Sequence, residues 1–448
     1  MPEKHAKKDT KLYLSQLDKD LNRSIVKHDL GSQFWLLFLL LIIGTGLYSY
    51  IIQLRDGLGV TAMRDYVSWG LYISNFVFFV AVSLVGFLIS SVLHLLGYKW
   101  ITPITRIAEQ IALAAVALAG IIIITDMGRP DRVLNVIKNA RFASPIFWDV
   151  TVITTYLAIS TLLIYIPLIP DIARLRDKIS GVPKIQMKLY NILSLGWHGS
   201  DEQFSIIKKA MKILAILVIP VALAIHTVTS WLFAATLRPG WDSTIFGPYF
   251  VTGAFVAGVA AVIILMYVYR NRYHLKNYLT DKHFDKMGKL LVLVAFIYLY
   301  FNINEFLVPG FKMRKMEGIH LQELFTGRFS LAFWLVQIGG LALPMILLLF
   351  KPFRKPTPIF IISLAVLTGA WIKRYLIVVP TLLHPYLPIQ NVPENFMTYF
   401  PSGTEIMIAA LPIGIALLVI TLLAKLFPVI SLWEIAKENG VSKEDLLS

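Results

Sequence analysis

An all-α membrane protein of ten transmembrane helices is the fold class this sequence predicts, and three observations carry it. The 448 residues are 57% hydrophobic and only 15% charged, with a mean hydropathy of +0.68. Soluble domains carry about 25% charge. The apolar residues also run in long stretches almost free of charge: 31–54, 66–97, 107–125, 142–170, 213–237, 243–269, 290–308, 329–350, 356–380 and 403–427. Each is long enough for a helix to cross roughly 30 Å of hydrocarbon. Finally, with ten spans the two ends of the chain share a side, and the segments on that side hold 29 Lys and Arg against 11 in the opposite loops. By the positive-inside rule both termini are cytoplasmic.

Along the chain, residues 1–30 read as a cytoplasmic amphipathic arm. Leu14, Leu17, Leu21 and Ile25 fall on one helical stripe suited to the inner membrane surface. No cleavable signal is evident, because the first apolar run follows about thirty polar residues and lacks a small-residue cleavage pattern. Span 1 (31–54) stands apart. Residues 55–237 hold spans 2–5 and residues 238–380 hold spans 6–9. Spans 2 and 6 share an opening pattern, Trp69-Gly70-x-Tyr72 with Phe78 and Phe246-Gly247-x-Tyr249 with Phe255. The match suggests a parallel repeat, hence two four-helix bundles with spans 1 and 10 flanking them. Span 7 is the weakest, since Asn302, Asn304 and Glu305 crowd its end. The connection 171–208 is long and basic, with room for a surface helix. Residues 381–427 supply an outer loop and span 10, and 428–448 a cytoplasmic tail.

The charges placed at membrane depth are where function is sought, because each costs roughly 2.5–3.5 kcal/mol on insertion scales. Asp126 ends span 3 in IIIITDMGRPDRV, at the helix end whose carbonyls already carry partial negative charge. It could pair with Arg129 one turn on. Asp149, in SPIFWDV, follows Ser144 and Pro145, a suitable N-cap and first-turn pair, and could serve the helix dipole. His226 lies in the outer half of span 5 and could be a core histidine bonded to a carbonyl. Arg374, with Lys373, could snorkel to the interface, with Glu305 as partner to one of the cations. Spans 3, 4 and 5 are consecutive. Their acid, acid and imidazole lie within about two turns of one surface, with Tyr72 and Trp69 as an aromatic wall. Such a pocket, apolar with a few convergent polar groups, suits a quinone ring. Near the inner face, His94 and Glu109 are candidates for the mouth of a proton path toward Asp126, with Asn302, Glu305 and Arg374 as further members. The bland alternative pairs Glu109 with Arg106.

Other chemistries are disfavoured. There are no cysteines, hence no disulfide, no Cys-ligated iron–sulfur cluster and no thiolate nucleophile. A membrane haem needs two axial histidines at matching depth, whereas His94 and His226 sit near opposite faces, so no haem is expected. No metal-ligand spacing appears. The net charge of +15 lies in loops between spans, which fits a lipid membrane and gives no reason to expect nucleic acid.

Several runs together carry a resemblance over nearly the whole chain: GVTAMRDYVSWGLYISNFVFFV (59–80), ITRIAEQI (104–111), DMGRPDRV (126–133), SPIFWDV (144–150), HTVTSW (226–231), RPGWDSTIFGPYFVTGAF (238–255), RYLIVVP (374–380) and YFPSGTEIMIAALPIG (399–414). The chain resembles the NrfD-like membrane subunits of respiratory complexes, which include the polysulfide reductase anchor and the ten-span subunits of alternative complex III. Ten spans and the closing LFPVISLWE favour the latter type. The resemblance implies two four-helix bundles and a quinone site near the outer face, with menaquinone or ubiquinone as substrate and no bound redox cofactor. It also implies a periplasmic iron–sulfur partner, with molybdopterin-type or cytochrome c subunits and a second NrfD-like membrane subunit as further partners. The family's quinone-side group before Gly-Arg-Pro falls on Asp126, where many relatives have His. The acid of the SPxxWD run falls on Asp149, and the span-5 histidine on His226. Asp242 stands where relatives often carry His.

A carboxyl at Asp126 could accept a proton from a quinol hydroxyl or give one to a quinone, with Arg129 and Pro130 holding the turn. Two other readings compete. A secondary transporter would show discontinuous spans and a midplane site, whereas here the charges crowd the faces. A purely structural anchor would tolerate replacement of Asp126.

Overall fold

In the computed structural model, residues 30–179, 181–387 and 389–438 are described, together with Ile25 and Val441. The amphipathic arm therefore lies outside the described residues except for Leu30, which opens span 1, and Ile25, which is buried against Leu168, Ile172, Leu175, Tyr190 and Phe427. The side chain of His94 also lies outside them.

Among the described residues ten helices are long and apolar enough to cross a membrane: Leu30–Asp56, Leu71–Leu93, Lys99–Asp126, Pro145–Lys178, Asp201–Ala234, Phe246–Arg272, Asp281–Lys312, Ser330–Leu349, Pro356–Leu383 and Gly403–Leu426. They are spans 1–10 below, and among the described residues there are no strands. Ten crossings put Leu30 and Leu426 on one side, the terminal face; the opposite side is the distal face. The 171–208 connection holds one further helix, Lys184–Leu193, after span 4 has run on to Lys178.

Burial explains how the spans sort. Span 1 is the most exposed, with Leu37, Leu40, Leu41 and Leu47 turned outward, and its principal packing partner is span 10. Span 2 is the most buried. Its small residues admit close neighbours: a Cβ on Gly86 would strike the carbonyl of Ala108 and, at 2.6 Å, the Cβ of Ala112 in span 3. In lipid, where the apolar surroundings give little drive to associate, such close backbone approach is what holds helices together. Spans 2, 3, 4 and 5 each pack on the next and span 5 returns to span 2. Spans 6, 7, 8 and 9 do the same, with span 9 returning to span 6. Span 6 lies between these rings, against spans 2 and 5, and span 10 packs on spans 1, 3 and 2. Span 8 contains a π-helical stretch, Leu335–Ala342.

Below span 3 on the terminal face, the chain after span 10 is tied down. Arg106 meets Asp171 at 2.6 Å with both side chains buried, and Arg106 also donates to the carbonyls of Pro428, Ile430 and Pro167. Asp171 in turn accepts the first N–H groups of the helix Leu432–Glu438, from Leu432 and Trp433. A carboxylate at a helix N-terminus is favourably placed.

Candidate functional site

Asp126 is the last residue of span 3, and what surrounds it comes from other spans. Gln53, fully buried at the end of span 1, donates its amide to the carbonyl of Thr125 at 2.8 Å. The same side chain accepts the hydroxyl of Tyr72 at 2.8 Å, from the first turn of span 2. Tyr72 is 1% exposed and within electrostatic range of both Asp126 and Glu405, and Asp126 is likewise within range of Glu405. Asp126 Oδ1 is buried and has no hydrogen-bond partner. A buried acceptor left without a donor costs about 1–3 kcal/mol, more when charged. The oxygen is therefore open to a proton or to a hydrogen-bond donor.

Arg129 does not supply that donor. It is exposed and binds Asp131 through Nε at 3.0 Å and Nη2 at 2.9 Å. Gly128, with φ of +65°, turns the chain immediately after Asp126. The local pairing of Asp126 with Arg129 weighed from the sequence is thus replaced by an Arg129–Asp131 pair on the surface.

Glu405, at the start of span 10, is the site residue that sequence reasoning missed. It is fully buried. Its Oε1 accepts the Tyr399 hydroxyl and, at 3.2 Å, the Leu71 N–H; its Oε2 accepts the Ala62 N–H at 3.2 Å. Leu71 opens span 2, so Glu405 places negative charge on the N–H groups that a helix start leaves unpaired. Burial and the adjacent Glu405 carboxylate push the Tyr399 hydroxyl well above its usual range, which keeps it a donor. Gly70 is required by this approach: a Cβ there would strike the Tyr399 hydroxyl and lie 2.8 Å from Glu405 Oε1. The signal in the sequence was Ser402-x-x-Glu405, which reads as a capping box. Ser402 does accept the Glu405 N–H at 3.1 Å, but the Glu405 side chain reaches across to span 2.

A second cluster lies deeper, between spans 4, 5 and 2. Asp149 is 1% exposed and its Oδ1 accepts the Thr229 hydroxyl at 2.5 Å. It therefore pairs across to span 5. Ser144 occupies the N-cap position of span 4 with Pro145 following, yet its side chain makes no cap bond. His226, one turn before Thr229, sets Nδ1 3.1 Å from the Ala222 carbonyl and Nε2 2.9 Å from the Val80 carbonyl in span 2. A neutral imidazole has one N–H and satisfies only one of these carbonyls; the doubly protonated ring satisfies both. Tyr72 and Val80 are two turns apart on span 2, about 12 Å along its axis. Span 2 thus links the two clusters. Trp69 leads into span 2 and is partly buried against Trp241, stacked at 6.0 Å, and against the edge of Phe233 at 5.9 Å.

A third cluster occupies the ring of spans 6–9. Lys373 and Arg374 do not snorkel; they are 3% and 2% exposed. Lys373 binds Glu305 at 3.1 Å and lies over the rings of Phe306 and Tyr249. Tyr249, the counterpart of Tyr72 in the repeated pattern, donates to Asn302 at 3.3 Å, and Asn302 donates to Gln337 at 2.6 Å. Both tyrosines thus meet buried amide side chains toward the distal face. On the terminal face, Glu109 is buried beside the Ser90 hydroxyl, 3.4 Å away. The pairing of Glu109 with Arg106 does not form, because Arg106 is taken by Asp171.

Among the described residues, no group of three or more His, Asp or Glu could hold a metal ion. Comparison with known proteins gives a consistent picture. The family model described as "Polysulphide reductase, NrfD" matches residues 59–385. The chain is 30% identical over 330 residues to a Halobacterium salinarum protein named as a candidate membrane subunit of dimethyl sulfoxide reductase, covering 72% of this chain and 71% of that one. It is 26% identical over 396 residues to a selenate reductase subunit of Mesobacillus selenatarsenatis, covering 86% and 91%. It is 21% identical over 414 residues to the menaquinone reductase integral membrane subunit of Nitratidesulfovibrio vulgaris, covering 88% and 91%.

Proposed function

The chain belongs to the polysulphide reductase NrfD family, and from that premise we propose that it is the quinone- and quinol-binding integral membrane subunit of an oxidoreductase complex. One observation carries this reading: Asp126 presents a buried oxygen without a donor, in a setting of Tyr72, Gln53 and Glu405 contributed by spans 1, 2 and 10. A quinol hydroxyl is a donor of the right kind, and a quinone carbonyl could accept from the protonated acid. The names of relatives that act on menaquinone support a quinone as substrate.

In the oxidation direction, a quinol gives two electrons to a redox centre on a partner subunit and two protons to bases of this chain. Asp126 Oδ1 takes one proton, and the Asp149–Thr229–His226 cluster is the route for the second. In the reduction direction the same groups donate. Glu405 is already held by three donors and acts by fixing the ends of spans 2 and 10 around Asp126. With no cysteine the chain has no thiolate to ligate an iron–sulfur cluster, and we assign the redox centres to partner subunits. The partner at the distal face is then an iron–sulfur subunit, and the distal face is periplasmic, with both termini cytoplasmic. We read the two rings, spans 2–5 and 6–9, as the family's two four-helix bundles, and the ten spans as the alternative-complex-III type. Glu109, and the Asn302–Glu305 region of the second ring, are the groups through which proton translocation would be coupled.

The test is quinol-linked electron transfer in the assembled complex carrying Asp126→Asn. Turnover should fall at least tenfold while the partner subunits still co-purify. Turnover at the wild-type rate would leave the chain as a structural anchor.

A further inference from the structure

The second ring contains a small cavity of about 20 Å³, walled by Gly253, Tyr298, Gln337, Gly340, Gly369 and Arg374 among others. Its chemistry is one-sided. Arg374 is 2% exposed, and its Nε and Nη2 have no hydrogen-bond acceptor. Among the described residues no carboxylate pairs with it: Glu305, the nearby acid, is held by Lys373 at 3.1 Å. The Phe250 ring, 5.6 Å from the guanidinium, compensates only part of the charge. Gln337 likewise turns a buried Nε2 toward this region without a partner. Two acceptors on the cavity wall are engaged, Gln337 Oε1 by the Asn302 amide at 2.6 Å and Asn302 Oδ1 by the Tyr249 hydroxyl at 3.3 Å; the Tyr298 hydroxyl gives its hydrogen to Tyr249 at 3.2 Å and keeps its oxygen in interaction range of Arg374. What remains is a set of N–H donors and an uncompensated positive charge at membrane depth.

Two cations and one carboxylate leave this region with a net positive charge, and an isolated charge in such surroundings is strongly disfavoured. A water would fit, because a site needs about 10–15 Å³ to hold one. Yet a water must also place its own two hydrogens, and the one side-chain oxygen still open among those named, that of Tyr298, already faces the Arg374 charge. An anion needs only donors. The backbone supports the same cavity: Gly340, within the π-helical stretch of span 8, lies against Gly369, where a Cβ would come 2.7 Å from the Gly340 Cα. A side chain at either glycine would clash with the facing backbone and disturb the wall of the cavity. An arginine does not release its proton in proteins, so Arg374 is unsuited to relay one and suited to hold a charge.

We propose that this cavity is an internal site for a small monatomic anion of the halide class, held by Arg374 and Gln337 in the ring of spans 6–9. The site is separate from the Asp126 cluster and does not depend on quinone binding there.

The test is structure determination of the intact complex in bromide, with anomalous scattering at the bromine edge. A bromide peak at Arg374 and Gln337 is the expected result; its absence at saturating bromide overturns the proposal. A second measurement compares thermal unfolding in chloride and in gluconate at equal ionic strength. Chloride should raise the midpoint saturably in the wild type, and the rise should vanish in Arg374→Gln. If that variant does not assemble, Gln337→Leu, which removes a donor and fills the cavity, serves the same purpose. Equal midpoints in both anions for the wild type, or a chloride shift unchanged by these substitutions, would refute the site.

Discussion

Tyr72 donates its hydroxyl to Gln53 at 2.8 Å, and Gln53 passes its amide to the carbonyl of Thr125, the residue before Asp126. One fully buried glutamine from span 1 therefore fixes the start of span 2 and the end of span 3 relative to each other. The end of span 3 needs such a partner because its last carbonyls have no intrahelical donors.

Gln53→Leu keeps the volume and removes both bonds, leaving the Thr125 carbonyl buried without its donor. The expected cost is about 1–3 kcal/mol of stability, with a rise in the KM for quinol as Asp126 loses its fixed position. Thermal unfolding and steady-state kinetics on the assembled complex check it. A variant indistinguishable from wild type in both would show that Gln53 is not a positioning residue.

Gly86 and Gly120 offer a comparison in packing. A Cβ at Gly86 meets the backbone of span 3, whereas a Cβ at Gly120 meets nothing within 4 Å. Gly86→Ala should destabilise the protein by about 1–3 kcal/mol through overpacking. Gly120→Ala should be neutral or slightly stabilising. Unfolding midpoints of the two variants side by side give the answer.

His320, in the helix Lys315–Phe325 between spans 7 and 8, is buried, and burial with help from His384 and Lys373 pushes it down to about 3 from an ordinary 6.5. The unfolded chain then binds a proton that the folded chain refuses between those values. Stability from this residue is complete above about pH 6.5 and falls as pH drops toward 3, by up to roughly 1.4 kcal/mol per unit. His320→Asn should flatten the loss of thermal stability between pH 7.5 and 5.0. An unchanged slope would count against His320 as its source.

The helices were legible because hydropathy and span length are properties of contiguous residues. Span 2 was read from residue 66 but its helix begins at Leu71, since residues before Gly70 are drawn into the loop that meets Tyr399 and Glu405. Buried polar residues within spans were also legible, and Asp126, Asp149 and His226 were found that way. Their partners were not. Sequence neighbours suggested Asp126 with Arg129 and Glu109 with Arg106, one turn apart in each case. The fold chose partners far away instead: Arg106 with Asp171, Asp149 with Thr229, and Leu71 and Ala62 with Glu405. Helical periodicity shows which residues face inward but not which helix they face. For the same reason the three residues expected in one pocket divide between two clusters, with Glu405 of span 10 in electrostatic range of Asp126 and Thr229 bonded to Asp149.

The central proposal, a quinol site at Asp126, is best examined by photolabelling the complex in its native membrane with an azido-quinone, followed by peptide mapping. Label should appear in residues around Gln53, Tyr72 and Asp126, and excess unlabelled quinone should suppress it. Label confined to spans 6–9, or label that unlabelled quinone does not displace, would contradict it.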